Sequence, residues 1–243
     1  MDSYLKNINN KYPKDLKILH INAQSLDNIE HFSEFCTTFT NSGFDVIGVS
    51  ETFFKPISNK SIPNYNVFCV DRIGRGGGVA LYIKDCYKAK VLETSSGERG
   101  RSEFILVEIL VGTTLILCSC IYRPPDIGYI DNFLDAMYNH LSQYKYVFVC
   151  GDINARFGSN EPQSEKLKEI FHLCNQTFIP YAPTFHLGNC HSNLDIISSN
   201  CNELLIQFGQ EGAPGLSHHD LIYAVFNVKT PRSEKKKMLL LEI

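Results

Sequence analysis

Tyr146-Val147-Phe148-Val149-Cys150-Gly151-Asp152-Ile153-Asn154 is an apolar run that stops in a glycine, a carboxylate and a carboxamide. The run reads as a buried strand. Alternation along extended backbone predicts that Asp152 and Asn154 share one side of it. A carboxylate can take a proton and a neutral amide can donate to an oxyanion, a pairing that suits phosphodiester chemistry. By itself, Gly-Asp after a strand is equally an ordinary turn.

Other strands end in the same manner. Leu16 to Asn22 closes on Asn22, and Asp45 to Ser50 closes on Glu51-Thr52. Leu117 to Ile121 runs into Tyr122-Arg123-Pro124-Pro125. Pro183-Thr184-Phe185 leads past a turn to Ser192-Asn193-Leu194-Asp195, and Ser217-His218-His219-Asp220 precedes a last apolar run from Leu221 to Val228. Any one of these is a turn or cap residue. Six in series predict a single mouth built from loops at one end of the sheets.

Further runs with strand character are Asn66 to Val70, Gly78 to Lys84 and Glu103 to Leu110, the last predicted to form a hairpin about Gly112. Three apolar stripes have helical spacing: Ile29, Phe32, Phe35, Cys36 and Phe39; Ile130, Phe133, Leu134, Met137, Tyr138 and Leu141; and Leu167, Ile170, Phe171 and Cys174. These are core-facing stripes rather than ligand boxes. About nine strands with three helices do not make a βαβ repeat. They predict an α/β protein of two stacked sheets with helices outside, in one domain.

Composition narrows the class. The chain has 243 residues, 44% of them hydrophobic, which is enough for a sizeable core. No apolar stretch reaches the roughly 18 residues of a spanning helix, and the polar N-terminus lacks the apolar stretch of a secretory signal. The nine cysteines are odd in number and form no Cys-x-x-Cys pair, so they read as reduced thiols of an intracellular protein. A net charge of −3 argues against a nonspecific nucleic-acid coat. It leaves room for a local basic strip, for which Arg72, Arg75, Arg99, Arg101 and Arg123 are candidates. Residues 1–15 read as an N-terminal extension, 16–229 as the folded domain and 230–243 as a basic tail. Met238 to Ile243 reads as the cut start of a longer segment.

The ordered motifs Asn22, Ser50-Glu51-Thr52, Tyr122-Arg123-Pro124-Pro125, Gly151-Asp152-Ile153-Asn154, Pro183-Thr184-Phe185, Ser192-Asn193-Leu194-Asp195 and Ser217-His218-His219 resemble the endonuclease/exonuclease/phosphatase superfamily. His20-Ile21-Asn22-Ala23-Gln24-Ser25-Leu26 and Pro183-Thr184-Phe185-His186 are similar to the apurinic-type endonuclease domain of Jockey/CR1-type non-LTR retrotransposons. The resemblance runs from about Leu16 to Val228. It implies two stacked mixed sheets flanked by helices, a four-layer, DNase I-like α/β sandwich. It also implies Mg²⁺-dependent phosphodiester cleavage, with Mn²⁺ as a second ion.

Carried over by position, Glu51 resembles the metal-binding carboxylate. Asp152 resembles the group that positions or deprotonates water, and Asp195 the carboxylate that orients the catalytic His219. Tyr122 and Asn154 complete the catalytic set. Asn22, Asn154, Arg123, Thr184 and Ser192 are candidates for the phosphate, Thr184 and Ser192 also as supporting hydroxyls. The chain departs from the pattern at Ser217-His218-His219, where the family has Ser-Asp-His. His218 is therefore the second metal candidate, and imidazole suits transition metals better than Mg²⁺.

Three functions follow from the resemblance. The first is a DNA endonuclease that nicks target DNA for retrotransposition, acting in the nucleus beside a reverse transcriptase domain of a longer polyprotein. The second is a phosphodiesterase or phosphatase on a small substrate, and the third a catalytically weakened remnant. No membrane partner is implied.

Overall fold

The computed structural model describes residues 1–125, 127, 130–156 and 162–230, so residues 231–243 of the basic tail lie outside the described residues. Two six-stranded sheets stack face to face. The first contains β1 (Asp15–Asn22), β2 (Val46–Ser50), β3 (Tyr65–Val70), β4 (Val79–Lys84), β13 (Leu205–Glu211) and β14 (Leu221–Lys229), in the order β13-β14-β1-β2-β4-β3. The second contains β5 (Lys88–Thr94), β6 (Glu103–Val111), β7 (Thr114–Tyr122), β8 (Tyr146–Asp152), β9 (Thr177–Phe178) and β12 (Asp195–Ser199), in the order β5-β6-β7-β8-β12-β9. A small hairpin of β10 (Phe185–Leu187) and β11 (Cys190–Ser192) stands apart from both.

Each sheet is mixed for the same reason. A parallel pair needs a crossover connection, usually a helix. Helix α2 (Ile29–Phe39) links the parallel pair β1–β2, and α3 (Asp131–His140) links the parallel pair β7–β8. The other pairings are antiparallel, including the expected hairpin of β6 and β7. Helix α2 starts on Asn28, whose side chain accepts from the backbone N–H groups of Glu30 and His31.

The chain buries three apolar layers. Ile18, Val46, Leu81, Val107, Cys118, Phe148, Ile197 and Phe226 fill the space between the sheets. Leu19, Ile21, Phe35, Phe39 and Val225 pack the first sheet against α2. Phe133, Met137, Phe171, Val147 and Ile196 pack the second sheet against α3 and α4 (Pro162–Leu173). The result is four layers, α/β/β/α. The sheets approach closely at Gly48, where a Cβ would run into Cys150 Sγ.

The structure adds three elements to those expected from the apolar runs. Strand β5 is half exposed and carries Lys88, Lys90 and Glu93, the charged dress of an edge strand. Strand β13 is the opposite sheet's edge, with Ile206 and Phe208 exposed. The first residues form helix α1 (Asp2–Lys11), and its Leu5 is fully buried with Leu19, Phe44 and Tyr223. Leu5 is the one fully buried side chain of α1, and Met1, Tyr4, Ile8 and Tyr12 pack beside it at helical spacing, a short stripe set in an otherwise polar segment.

Leu5→Ala should lower the free energy of unfolding by about 2 kcal/mol or more, the cost of emptying a core leucine site. Urea denaturation checks this. A change below about 0.5 kcal/mol would mean that α1 is an appendage of the fold rather than part of it.

Candidate active site

The inter-sheet core explains where the polar residues go. Along β1, Leu16 and Ile18 face the second sheet, and alternation continues that row as His20 and Asn22. Along β8, Phe148 and Cys150 continue as Asp152, and along β7, Cys118 and Cys120 continue as Tyr122. Register then sets them side by side. Asn22 lies opposite Ser50, Tyr122 opposite Asp152, and Asp152 opposite Asp195. One end of the apolar slab is therefore capped by polar groups. Gly151 permits this, because a Cβ there would strike the carbonyl oxygen of Ile121 on the parallel neighbour.

Asn22 is the joint. Its Nδ2 donates to Glu51 Oε1 at 3.0 Å and to Asp152 Oδ2 at 2.7 Å, so one amide bridges two carboxylates across the sheets. Its Oδ1 accepts the backbone N–H of Gln24 at 3.0 Å. Asp195 is the second joint. Its Oδ2 accepts from Thr184 Oγ1 at 2.6 Å and sits 2.7 Å from His219 Nδ1. Its Oδ1 is buried without a hydrogen-bond partner among the described residues, 3.4 Å from His20 Nδ1. His20 Nε2 lies 3.2 Å from Ser50 Oγ. Phe185 packs against the His219 ring at 4.9 Å between centroids.

The electrostatics follow from burial and charge. Burial, with the nearby Asp195 charge, pushes the Asp152 carboxyl up. Burial also works against ionised Asp195, but the attraction and hydrogen bond of His219 hold its pKa below the ordinary value. Burial opposes a charged His219, yet Asp195, Asp152 and Glu51 outweigh it and raise its pKa to about 9. Burial dominates at His20 and lowers it to about 4. Tyr122 is held well above its usual value by burial and by the Glu51 and Asp152 charges, so its phenol stays protonated.

One ligand atom from each of Asp152, Asp195 and His219 lies within 4.8 Å of the other two, a spacing that could hold a metal ion. The Glu51 carboxylate, joined to Asp152 through Asn22, fits a hard divalent cation, which takes one or two carboxylates and keeps waters.

Several residues stand elsewhere than their motifs suggested. Asn154 follows the strand in left-handed backbone at φ 44°, so it does not share an extended face with Asp152. Its N–H bonds Asp152 Oδ1 at 2.8 Å, and its Nδ2 donates to the Arg123 carbonyl at 2.8 Å. Arg123 is fully buried and donates through Nη1 to the carbonyls of Ile153 and Asn154, which presents no surface to a phosphate. Thr184 is fully buried as well, committed to Asp195. Ser192 is 8% exposed, and its carbonyl accepts the Thr184 N–H. His218 is exposed, with its N–H 2.8 Å and its Nδ1 2.9 Å from Gln24 Oε1, and it is not among the residues of the metal-spaced group. Arg72 is paired with buried Glu103 and lies over the Tyr122 ring at 5.5 Å, so it is not a free surface cation.

Two supports were given no place in the site by the sequence: His20 behind Asp195, and the Arg72–Glu103 pair behind Tyr122. The signal that could have found His20 is period two, since it lies two residues before Asn22 on the same face. Backbone strain also gathers here. Gln24, Ser25, Glu51, Phe53 and Asn154 have positive φ, and they lie in the loops that follow β1, β2 and β8.

The family model described as the Endonuclease/Exonuclease/phosphatase family matches residues 7–197, and the chain belongs to that family. No curated protein matches it. Among solved structures, the endonuclease domain of TRAS1, a telomere-specific non-LTR retrotransposon, is similar with a TM-score of 0.68 and 15% identity, over 87% of this chain and 98% of that one. An endonuclease/exonuclease/phosphatase family protein from Leptotrichia buccalis is similar at 0.65 and 15%, over 87% and 99%. D. rerio TDP2 complexed with a single-strand DNA product is similar at 0.61 and 12%, over 88% and 99%. The shared fold is the DNase I-like sandwich described above.

His20 generates a pH test. Its pKa is near 6.5 in the unfolded chain and about 4 when folded. Between those values the unfolded chain binds a proton that the folded chain refuses, so stability falls as pH drops through the window. His219 acts with the opposite sign, contributing stability below about 6.5 that is lost as pH rises through about 9. In chelator, His20→Gln should flatten the acid limb between pH 6.5 and 4, by on the order of 3 kcal/mol at most. Urea midpoints across that range decide it. An unchanged acid limb would remove His20 as its source.

Proposed function

We propose that this chain is a divalent-metal-dependent phosphodiesterase that nicks DNA, an endonuclease of the kind retroelements use to open a target strand. The observation that carries the reading is the buried Asp195–His219 pair set beside Asp152, with Asn22 joining Asp152 to Glu51. Each group has a role that fits its electrostatics. His219, charged up to about pH 9, turns Nε2 to the substrate while Nδ1 is held by Asp195, and it offsets negative charge on the phosphoryl group. Asp152, with its raised pKa, accepts the proton of an attacking water. Tyr122 donates to the phosphate, Asn22 spends both amide hydrogens holding Asp152 and Glu51, and Asn154 shapes the turn that presents Asp152. Thr184 and Ser192 support Asp195, and Arg123 clamps the carbonyls behind Asn154.

Glu51 would hold the ion, Mg²⁺ or Mn²⁺, with waters filling the rest of its shell. When bound it withdraws charge from the phosphoryl oxygen and helps the alkoxide leave. His218 is outside this set.

Three observations favour a polymer over a small substrate. Loops 71–78 and 95–102 are joined, with Ile73 N–H donating to the Gly97 carbonyl at 2.8 Å. Arg72 places this pair of loops against the Tyr122 side of the site. The same loops expose Arg75, Arg99 and Arg101. DNA of a chromosome is then the substrate class, and the nucleus the place of action. A reverse transcriptase domain in a longer polyprotein would use the nick.

Asp152→Asn, Glu51→Gln and His219→Ala should each slow nicking of supercoiled plasmid by at least ~10²-fold while circular dichroism at the assay temperature matches the parent's, and His218→Ala should leave the rate and the Mg²⁺/Mn²⁺ preference close to the parent's. Products should carry 3′-hydroxyl and 5′-phosphate ends, and EDTA should stop the reaction. Full activity in EDTA would sink the proposal. Replacing Arg99 and Arg101 with Ala should flatten the slope of log K against log salt by ~0.9 for each lost phosphate contact. An unchanged slope takes that loop out of the interface.

A further inference from the structure

The β10–β11 hairpin carries a histidine pair that the catalytic reading does not use. His186 and His191 are directly opposite one another across the two strands. Their Nδ1 atoms are 2.7 Å apart. Both rings reach the surface, His191 being exposed and the His186 side chain 40% accessible. The far nitrogen of His186 is also engaged, with Nε2 3.2 Å from Asp220 Oδ2. Gln210 Nε2 donates to the same carboxylate oxygen at 3.0 Å and fixes it in place.

The proton positions follow from what each group can do. An ionised carboxylate only accepts, so Nε2 of neutral His186 carries the hydrogen and Nδ1 is a bare lone pair. That lone pair is aimed at the second imidazole. A carboxylate on one ring nitrogen and an open lone pair on the other is the usual outer arrangement of a metal-ligating histidine. His191 needs only the same tautomer, with its hydrogen on Nε2, to present a second lone pair to the same point. Two nitrogens on a tetrahedral ion, each about 2.0–2.1 Å from it, lie roughly 3.3 Å apart. The pair must open by about half an ångström, a change that exposed cross-strand side chains can make by small rotations.

We propose that His186 and His191 form a two-imidazole site for a borderline divalent transition ion such as Zn²⁺ or Cu²⁺, with Asp220 orienting His186 and water completing the coordination. Imidazole nitrogens select these ions over Mg²⁺. The site is separate from the oxygen-rich group at Asp152 but adjoins its support. The His186 N–H donates to the His218 carbonyl at 2.9 Å, Phe185 bridges to His219, and Asp220 follows His219 in the chain. An ion here would brace the loop that carries His219.

The test is a Zn²⁺ titration of the full chain by calorimetry, repeated with Cu²⁺ while nitrogen coupling is read by electron paramagnetic resonance. The parent should bind one more equivalent of Zn²⁺ than either His186→Ala or His191→Ala, and both variants should lose the two-nitrogen copper signal. Asp220→Asn should weaken that equivalent by about 10-fold or more, as loss of a carboxylate partner to a ligating histidine does. Asp152→Asn should keep the equivalent, which separates this site from the catalytic one, and millimolar Mg²⁺ should not displace it. Exposed Cys190 is a competing ligand. Cys190→Ser should retain the equivalent, and a loss that follows Cys190 instead of the histidines overturns the proposal. So does equal stoichiometry and affinity in the parent and both histidine variants. Melting curves without metal confirm that the exposed substitutions leave the fold intact.

Discussion

The amide of Asn22 holds two carboxylates from two sheets in one place. Asp152 is fully buried at the end of the second sheet and Glu51 leaves the end of the first, and both accept from the same Nδ2. Two like charges so close would repel, and burial raises the cost. The amide lowers that cost without neutralising either group. Everything else at this end of the molecule is arranged around the joint. Parallel pairing brings Asn22 level with Ser50 and Tyr122 level with Asp152, and antiparallel pairing brings Asp195 level with Asp152.

A second buried carboxylate shows what a purely structural solution looks like in the same fold. Asp45 lies near the other end of β2 and is paired on all sides. It accepts from the Lys17 N–H at 2.9 Å, from Lys84 Nζ at 2.8 Å and from the Tyr87 hydroxyl at 2.9 Å, with Lys17 Nζ at 3.3 Å. Asp195 is as deeply buried but keeps Oδ1 without a hydrogen bond among the described residues. Unmet polar capacity at a buried group costs stability unless something uses it. The contrast separates a carboxylate that closes the fold from one that is kept open beside a polar cluster.

The perturbed groups also divide the work. Asp152 is pushed up, Asp195 is held down and His219 is raised to about 9, so three neighbours occupy three different protonation regimes. Environments that drive neighbouring titrations apart are how one site supplies both an acid and a base. Behind them, Thr184 fixes Asp195, Arg123 fixes the turn at Asn154, and the Arg72–Glu103 pair underlies Tyr122. These supports are buried. Their residue types made some of them look like ligand contacts in the bare sequence.

The sequence by itself determined the layered architecture and most members of the polar cluster. Apolar runs such as Tyr146 to Cys150 must be buried strands, and the phenylalanine stripe of α2 must face a core, because burial and period are local properties of the chain. The polar residues that end those runs are equally local, so Asn22, Glu51, Tyr122, Asp152, Asp195 and His219 are legible in the chain alone. The edge strands β5 and β13 are not, because half-exposed elements carry little periodic signal, and the stripe of Tyr4, Leu5 and Ile8 in α1 is short and set among polar residues. Tertiary structure alone decided which polar residues face inward. Arg123 and Thr184 carry the chemistry of phosphate ligands yet are sealed beneath the site. His218 stands next to His219 in sequence yet turns out to Gln24, because it sits on the bend that leads into the His219 bridge. Which partner a side chain meets depends on strand register and on contacts across the two sheets, which no local reading of the chain contains.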